Sequence, residues 1–166
     1  MLCVGGWAYL GYRDHWMSIQ AQIDILPEQN AKKGRLYGDE VQEVAMGSFW
    51  VLLNQLPSVE EGSLECSIKY ENPDSNEYSA RISLYLKETG ELLGNTKRVD
   101  PGRYVETLRL KKELPLGEYP ARVNLELFKG KTPAGNLSVD VILQVVEKRE
   151  DTKAESGGGA EGEQGR

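Results

Sequence analysis

The feature that most constrains the fold of this chain is a two-residue alternation of apolar and polar side chains. It is clearest in residues 118–128 and 135–147, where the apolar positions are Tyr119, Ala121, Val123, Leu125 and Leu127, then Leu137, Val139, Val141, Leu143 and Val145. A β-strand directs successive side chains to opposite faces, so such a segment is typical of a strand with one buried and one wet face. Both segments are therefore predicted to be strands.

Similar patterns predict strands elsewhere in the chain. They cover residues 46–56, 62–70, 78–86, 91–99 and 103–110, of which 91–99 is short and polar, like an edge strand. The connections "NPDSNE", "ETGE", "DPG" and "KGKTPAG" are rich in residues that favour turns. About seven short strands with no helical period between them indicate an all-β fold, a two-sheet antiparallel sandwich.

The stretch "LPLGEYPARV" (residues 114–123) indicates how one of these strands begins. In immunoglobulin-like (Ig-like) sandwiches a tyrosine near the start of a late strand packs into the core and donates its hydroxyl to backbone a few residues upstream. Tyr119 is in that position, Gly117 suits a turn with positive φ, and Leu114 is expected to be buried. The sandwich is therefore predicted to be Ig-like. The alternative is a plain hairpin that leads into a strand with a core tyrosine.

The core lacks the disulfide and tryptophan of antibody domains. Ala121 stands where the second cysteine of that disulfide would follow the tyrosine, so Cys66 has no partner on that strand. The strand over residues 78–86 has no tryptophan, and Trp50 lies on the first predicted strand instead. Because its neighbours in the alternation are apolar, Cys66 is predicted to be buried and reduced.

Four short segments carry a resemblance to a known family. The segments "EGSL", "ETGELL" and "LPLGEYPA", with "ILPEQNAKKG" in a P-x-x-N-A-x-x-G arrangement, resemble small surface-exposed β-sandwich proteins of Gram-positive bacteria. The resemblance spans about residues 20–147. These proteins are often encoded near mobile elements. The resemblance implies an extracytoplasmic, membrane-tethered, non-enzymatic domain, and it carries no functional residues to transfer.

Both ends of the chain differ in composition from its centre. Residues 1–17 begin with uncharged positions and then gather aromatic residues of the kind found where a membrane meets water: Trp7, Tyr9, Tyr12 and Trp16. We interpret this segment as the remnant of a membrane anchor, and Met1 as an internal methionine of a longer gene product or a trimmed start. The alternative is an apolar helix packed on the domain or on a partner. Residues 18–45 are predicted to be a polar stalk, 46–147 the sandwich domain, and 148–166 a disordered tail.

The charged and reactive residues favour no enzyme class. A net charge of −6 with scattered Lys and Arg argues against nucleic-acid binding. One histidine, His15, and two separated cysteines cannot complete a zinc site, so neither a metal nor another cofactor is expected. The acidic residues of loop 71–77 suggest calcium as an alternative to simple solvation, since carboxylate and amide oxygens are its ligands.

Exposed tyrosine and arginine side chains are the remaining signal of function. Such residues are enriched in protein interfaces, and the strand pattern makes Arg81, Tyr85, Arg103 and Tyr104 the candidate interface. We expect a non-enzymatic module at the extracellular face of the cell membrane, attached through its N-terminal segment, with a protein or cell-surface partner. The alternative is a soluble acidic inhibitor or adaptor from a mobile element that acts on an intracellular protein.

Overall fold

The computed structural model describes residues 26–37 and 49–150, and within these residues the fold is all-β with no helix. The described strands are β1 (Lys32–Lys33), β2 (Ser58–Glu60), β3 (Glu65–Cys66), β4 (Tyr70–Asn72), β5 (Ser79–Leu86), β6 (Leu92–Val99), β7 (Arg103–Val105), β8 (Leu108–Arg109), β9 (Gly117–Lys129) and β10 (Thr132–Val146). They form a five-stranded, a three-stranded and a two-stranded sheet. The predicted all-β class is confirmed.

The five-stranded sheet contains the longest strands, in the order β2-β10-β9-β5-β6. All neighbours in it are antiparallel except β2, which runs parallel to β10. Val123 of β9 lies opposite Leu84 of β5 on one side and Val139 of β10 on the other, so apolar positions meet across the strands. Strands β5, β6, β9 and β10 correspond to four predicted strands, and β6 lies at the edge as its polarity predicted.

Two of the predicted strands are divided in the structure. Residues 103–110 hold β7 in the three-stranded sheet and β8 in the two-stranded sheet, since the buried positions change from odd to even between Val105 and Leu108. Residues 62–70 hold β3 and the start of β4, because Lys69 has a φ of 44° and leaves the strand conformation. The prediction of one continuous strand was therefore wrong in both places.

The first predicted strand, residues 46–56, is also different in the structure. Its described part, residues 49–56, forms an isolated bridge between Leu52 and Glu71 but no strand. Phe49, Val51 and Leu53 nevertheless pack against the core. The apolar residues of this segment thus pack against the core from a loop and not from a strand.

The core lies between the five-stranded sheet and the two smaller sheets. One buried cluster contains side chains of the large sheet together with side chains from the opposite layer, among them Ile82, Val123 and Leu143 with Ile68, Tyr70 and Leu108. Two layers that enclose one core are the arrangement of a β-sandwich.

The corner before β9 has the predicted local geometry. Gly117 has a φ of 145°, which favours glycine, and Leu114 is buried. The Tyr119 hydroxyl donates a hydrogen bond to the carbonyl oxygen of Pro115, with an O–O distance of 2.7 Å. The ring is partly buried against the core. The tyrosine therefore ties the start of β9 to the turn that precedes it.

Cys66 is buried and unpaired, as predicted. Burial raises the pKa of its thiol to about 12, because the thiolate would lose its hydration. A thiol in this environment is unreactive at neutral pH. Cys66 therefore acts as a small apolar residue of the core.

The lead-in segment 26–37 corrects the predicted domain boundary. It was assigned to a stalk over residues 18–45, yet β1 pairs with β7 and Ala31 packs against the core. Pro27 also forms a parallel bridge with Arg98 at the end of β6. The segment is polar because its contacts with the domain are backbone hydrogen bonds and polar side-chain contacts, such as that of Lys32 with Glu106, and neither kind gives an apolar alternation in the sequence.

The predicted anchor, residues 1–17, lies outside the described residues, as does the tail beyond residue 150. In residues 26–37 and 49–150, no helix has the length and apolar character needed to cross a membrane.

Candidate functional site

The four predicted interface residues lie on two different sheets. Arg81 and Tyr85 belong to β5 in the five-stranded sheet, where both are half-buried. Arg103 and Tyr104 belong to β7 in the three-stranded sheet, which packs on the other side of the core. The structure therefore does not bring the four residues together in one surface.

The outer face of the five-stranded sheet pairs its charges with one another. Arg81 forms an ion pair with Glu126, which lies directly opposite it on β9. Tyr85 lies opposite Arg122, and the Arg122 side chain donates to Asp140 of β10 at 2.9 Å. Arg81 and Arg122 on this face thus bind carboxylates of neighbouring strands.

Asp140 is the centre of this network. Its two carboxylate oxygens accept from Arg122 Nε and Lys87 Nζ, each at 2.9 Å. These hydrogen bonds, that of Arg122 first, lower the pKa of Asp140 to about 2. The carboxylate is therefore ionised at every physiological pH.

Strand β10 extends far beyond the strand that covers its outer side. It has 15 residues and pairs with β9 along its length, whereas β2 covers only Gln144 to Val146. Next to β2, the N–H groups of Ile142 and Gln144 donate to the carbonyl oxygens of Gln55 and Pro57 at 3.1 and 2.9 Å. Among residues 26–37 and 49–150, pairing on this side therefore ends at Ile142.

The residues before Ile142 form an open edge. Backbone groups of a strand point alternately to its two neighbours, so Asn136, Ser138 and Asp140 direct their N–H and C=O groups away from β9, as Ile142 does. Within the described part of the chain, no strand or loop pairs with these groups. We call residues 136–140 of β10 the open edge.

The side chains of the open edge do little to block it. Residues 132–141 contain no lysine, the residue that most often protects edge strands; Asp140 is their one charged residue, and Pro133 lies outside residues 136–140. Leu137 and Val139 are only half-buried, at the end of the apolar row that continues into the core. A bulge between Pro133 and Gly135 interrupts the pairing at one end alone.

Apolar surface adjoins the end of the open edge that is nearest to Ile142. A hollow of about 350 Å³ is lined by residues that include Leu56, Pro120 and Ile142. Leu56 is 54% exposed and Ile142 is 36% exposed, and both line this hollow, so their apolar surface lies together. A partner strand at the open edge would therefore end beside an apolar surface.

The oxygen ligands of loop 71–77 are used by the protein itself. The Glu71 carboxylate accepts the N–H groups of Leu36 and Tyr37 at 2.6 and 3.0 Å. Asp74 faces Arg35, and Asn76 bonds the backbone of Trp50. Among residues 26–37 and 49–150 there is no group of three His, Cys, Asp or Glu side chains arranged to hold a metal ion.

Comparison with known proteins gives no relative for this chain. It matches no family model, no curated protein and no solved structure.

The open edge was missed by sequence reasoning, although the strand itself was predicted. The available signal was a mismatch of lengths. The alternation predicts a strand over 135–147 that is longer than each of the other predicted strands, so a single neighbour cannot cover its whole length. Edge position depends on which strands become neighbours, and the alternation of side chains does not report that.

Proposed function

We propose that this chain is a non-enzymatic protein-binding module of the extracellular cell surface, which engages its partner by strand addition at the open edge of β10. One observation carries the proposal: the N–H and C=O groups of Asn136, Ser138 and Asp140 face outward from the end of a sheet without a neighbouring strand in the described residues. An extended strand laid along this edge gains main-chain hydrogen bonds, and apolar contacts beside it add specificity.

The edge is complementary to a second copy of itself. With a two-fold axis at Ser138, an antiparallel pairing places Asn136 opposite Asp140 of the second copy, and Leu137 opposite Val139 of the second copy. The pairing opposes no like charges and brings half-exposed apolar side chains together. It supplies about six backbone hydrogen bonds, two for each of three facing pairs. A second copy is therefore the partner we propose.

Attachment to a membrane belongs to the same proposal. Its support is the aromatic, uncharged composition of residues 1–17 and the resemblance to tethered surface proteins of Gram-positive bacteria. Tethering raises the effective concentration of neighbouring copies, so a weak edge contact becomes sufficient for association.

The Ig-like character of the sandwich is likewise proposed. Its support is the hydrogen bond from the Tyr119 hydroxyl to Pro115, four residues upstream, together with the positive φ of Gly117. Such a corner is typical of Ig-like domains. Trp50 is 39% exposed, so this sandwich lacks the buried tryptophan of antibody domains at that position.

Amide hydrogen exchange on the full chain tests the proposed pairing. With rising protein concentration, exchange at Asn136, Ser138 and Asp140 should slow, because a second copy protects these N–H groups. Ser138→Pro removes an outward donor without removing a hydrogen bond to β9, and proline is tolerated on an exposed edge. In this variant Asn136 and Asp140 should exchange quickly at every concentration.

Ser138→Ala is the matched control. It removes the hydroxyl that contacts Asn124 at 2.7 Å but keeps the backbone N–H. Its concentration dependence should equal that of the wild type. Exchange rates at the open edge that do not change with wild-type concentration would contradict pairing with a second copy.

A further inference from the structure

A cationic groove lies on the opposite layer from the open edge. It has a volume of about 400 Å³ and forms where the lead-in segment passes the turn between β6 and β7. Its charged lining residues are Lys33, Arg35, Arg103 and Asp74. Three cations and one carboxylate give the groove a local charge of the opposite sign to the net charge of −6 of the whole chain.

Two of these cations face each other directly. Lys33 of β1 lies opposite Arg103 of β7 in the antiparallel register, and both residues are exposed. Among the described residues, no carboxylate lies within ion-pair distance of either one. Like charges directly opposite each other destabilise a sheet. Asp74 lines the same groove but forms its ion pair with Arg35, so it offsets this electrostatic cost only in part.

Lys32, the residue next to Lys33 in β1, has a different charge environment. Lys32 contacts Glu106 at 2.7 Å, and this hydrogen bond is the main reason that the pKa of Lys32 is raised. Two successive lysines of the same short strand thus differ: one has a carboxylate partner and the other faces a second cation.

Arg35 adds a third cation that is only loosely held. Its Nη2 atom lies 3.3 and 3.4 Å from the two carboxylate oxygens of Asp74, at the long end of hydrogen-bond distances. The Asp74 side chain is 63% exposed, so water weakens this pair. An incoming anion can therefore compete with Asp74 for the guanidinium group.

Two glycines fix the shape of the groove. The Gly34 N–H donates to the Gly102 carbonyl at 3.1 Å, which holds the lead-in against the turn. Gly34 has a φ of 132° and Gly102 a φ of 76°, both of which favour glycine. The backbone therefore fixes the strand positions from which the Lys33 and Arg103 side chains extend.

We infer that this groove binds a phosphate group. Three cations against Asp74 leave about two positive charges, which match the charge of about −1.5 to −2 on a phosphate or phosphate monoester at neutral pH. A carboxylate carries one negative charge and neutralises only part of the groove. Arginine guanidinium groups also bind phosphate through two parallel hydrogen bonds. The inference is independent of the open edge.

A nuclear magnetic resonance titration of the full chain tests the inference. Inorganic phosphate should cause saturable shifts of the amide signals of residues 33–35 and 102–103, and acetate at equal ionic strength should bind about tenfold more weakly. Glycerol phosphate distinguishes the source of the ligand. Tighter binding than inorganic phosphate indicates a phosphate ester, and weaker binding indicates free phosphate. Shifts spread over the whole chain, or equal shifts with acetate, would overturn the inference.

Charge-removing variants locate the site. Lys33→Gln and Arg103→Gln should each weaken phosphate binding about tenfold, whereas the control Lys32→Gln should leave it unchanged. Without phosphate, Lys33→Gln should raise the unfolding midpoint, because it removes the facing like charge. Lys32→Gln should lower the midpoint slightly by loss of the contact with Glu106. Equal phosphate affinity in wild type and Lys33→Gln would refute the groove as the binding site.

Discussion

The two edges of the five-stranded sheet differ in how far their outer backbone groups are paired. Along β6, segments distant in sequence cover the outer backbone: the Lys111 N–H donates to Leu93 at 2.7 Å, and the Glu28 N–H donates to Arg98 at 2.8 Å. Along β10, the pairing formed by described residues stops at Ile142 and the open edge follows. One edge is covered by other segments of the domain, and the other has outward backbone groups with no neighbouring strand among the described residues.

This difference explains why we assign binding to β10 and not to β6. Sheet edges attract other strands, so proteins cover or charge those that are not used. The chain uses residues 26–28 and 109–111 to cover β6, although β6 is the shorter and more polar strand. Within residues 26–37 and 49–150, no segment covers the corresponding part of β10, the longer and more apolar strand. For this reason the proposed partner strand is placed at β10.

The largest expected effect concerns the closed side. Gly94 of β6 is buried, and a Cβ atom added there would overlap the backbone carbonyl of Arg109. Backbone cannot move aside as a flexible side chain can, so Gly94→Val should lower the free energy of unfolding by at least about 3 kcal/mol, and Gly94→Ala by about 2 kcal/mol. Urea denaturation measures both values.

The same kind of substitution on the open side provides the control. Ser138→Val adds a branched side chain to an exposed position and should change the free energy of unfolding by less than about 1 kcal/mol. A similar loss in Gly94→Val and Ser138→Val would mean that β6 is not closed more tightly than β10, and the comparison of the two sides would fail.

Gly94 also shows the limit of the sequence as a guide to this fold. The alternation in residues 78–86, 118–128 and 135–147 was enough to predict β5, β9 and β10 and their buried faces. The polarity of 91–99 was enough to predict an edge strand. The glycine inside that strand had no explanation from sequence, because the chain that crosses it, near Arg109, is a non-local neighbour.

The second prediction concerns the base of the β9–β10 hairpin. Tyr119 is only partly buried, so Tyr119→Ala should lower the free energy of unfolding by about 2–3 kcal/mol, less than a fully buried aromatic side chain. Tyr119→Phe keeps the ring and removes the hydrogen bond to Pro115, at a cost of about 1 kcal/mol. Chemical denaturation separates the two contributions. A Tyr119→Phe variant as stable as wild type would show that the corner hydrogen bond adds nothing.

The third prediction concerns the lead-in segment that covers β6. The Glu28 carboxylate accepts the Lys97 N–H at 2.7 Å and the Asn30 N–H at 3.2 Å. Glu28→Ala should therefore cost about 1–2 kcal/mol and speed amide exchange at Lys97 and Arg98. The neighbouring Gln29 is exposed, and Gln29→Ala should have no effect on either measurement. Unchanged exchange at Lys97 in Glu28→Ala would show that the lead-in does not close this edge.

The candidate sites were less predictable than the fold, for a related reason. Arg103 was identified from its residue type, but Lys33 and Arg35 were assigned to a stalk. Only the pairing of β1 with β7 brings Lys33 opposite Arg103. The contacts that hold the lead-in, such as Glu28 to Lys97, join residues far apart in sequence and involve backbone atoms. No spacing within a single segment reports such a contact.

The smallest expected effect is electrostatic and concerns the open side. Asp140 has a pKa lowered from 3.8 to about 2, first by Arg122 and then by Lys87. Its stabilising contribution should be fully present above pH 3.8 and should be lost as the pH falls through about 2, because protonation breaks both hydrogen bonds. Arg122→Gln should return the pKa of Asp140 toward 3.8, whereas Arg109→Gln, whose side chain contacts Glu65 on the other layer, should not change it. A carboxyl carbon titration by nuclear magnetic resonance measures each value. If Asp140 titrates near 3.8 in the wild type, its carboxylate does not pair with Arg122 and Lys87. It could then pair with a residue of a partner strand.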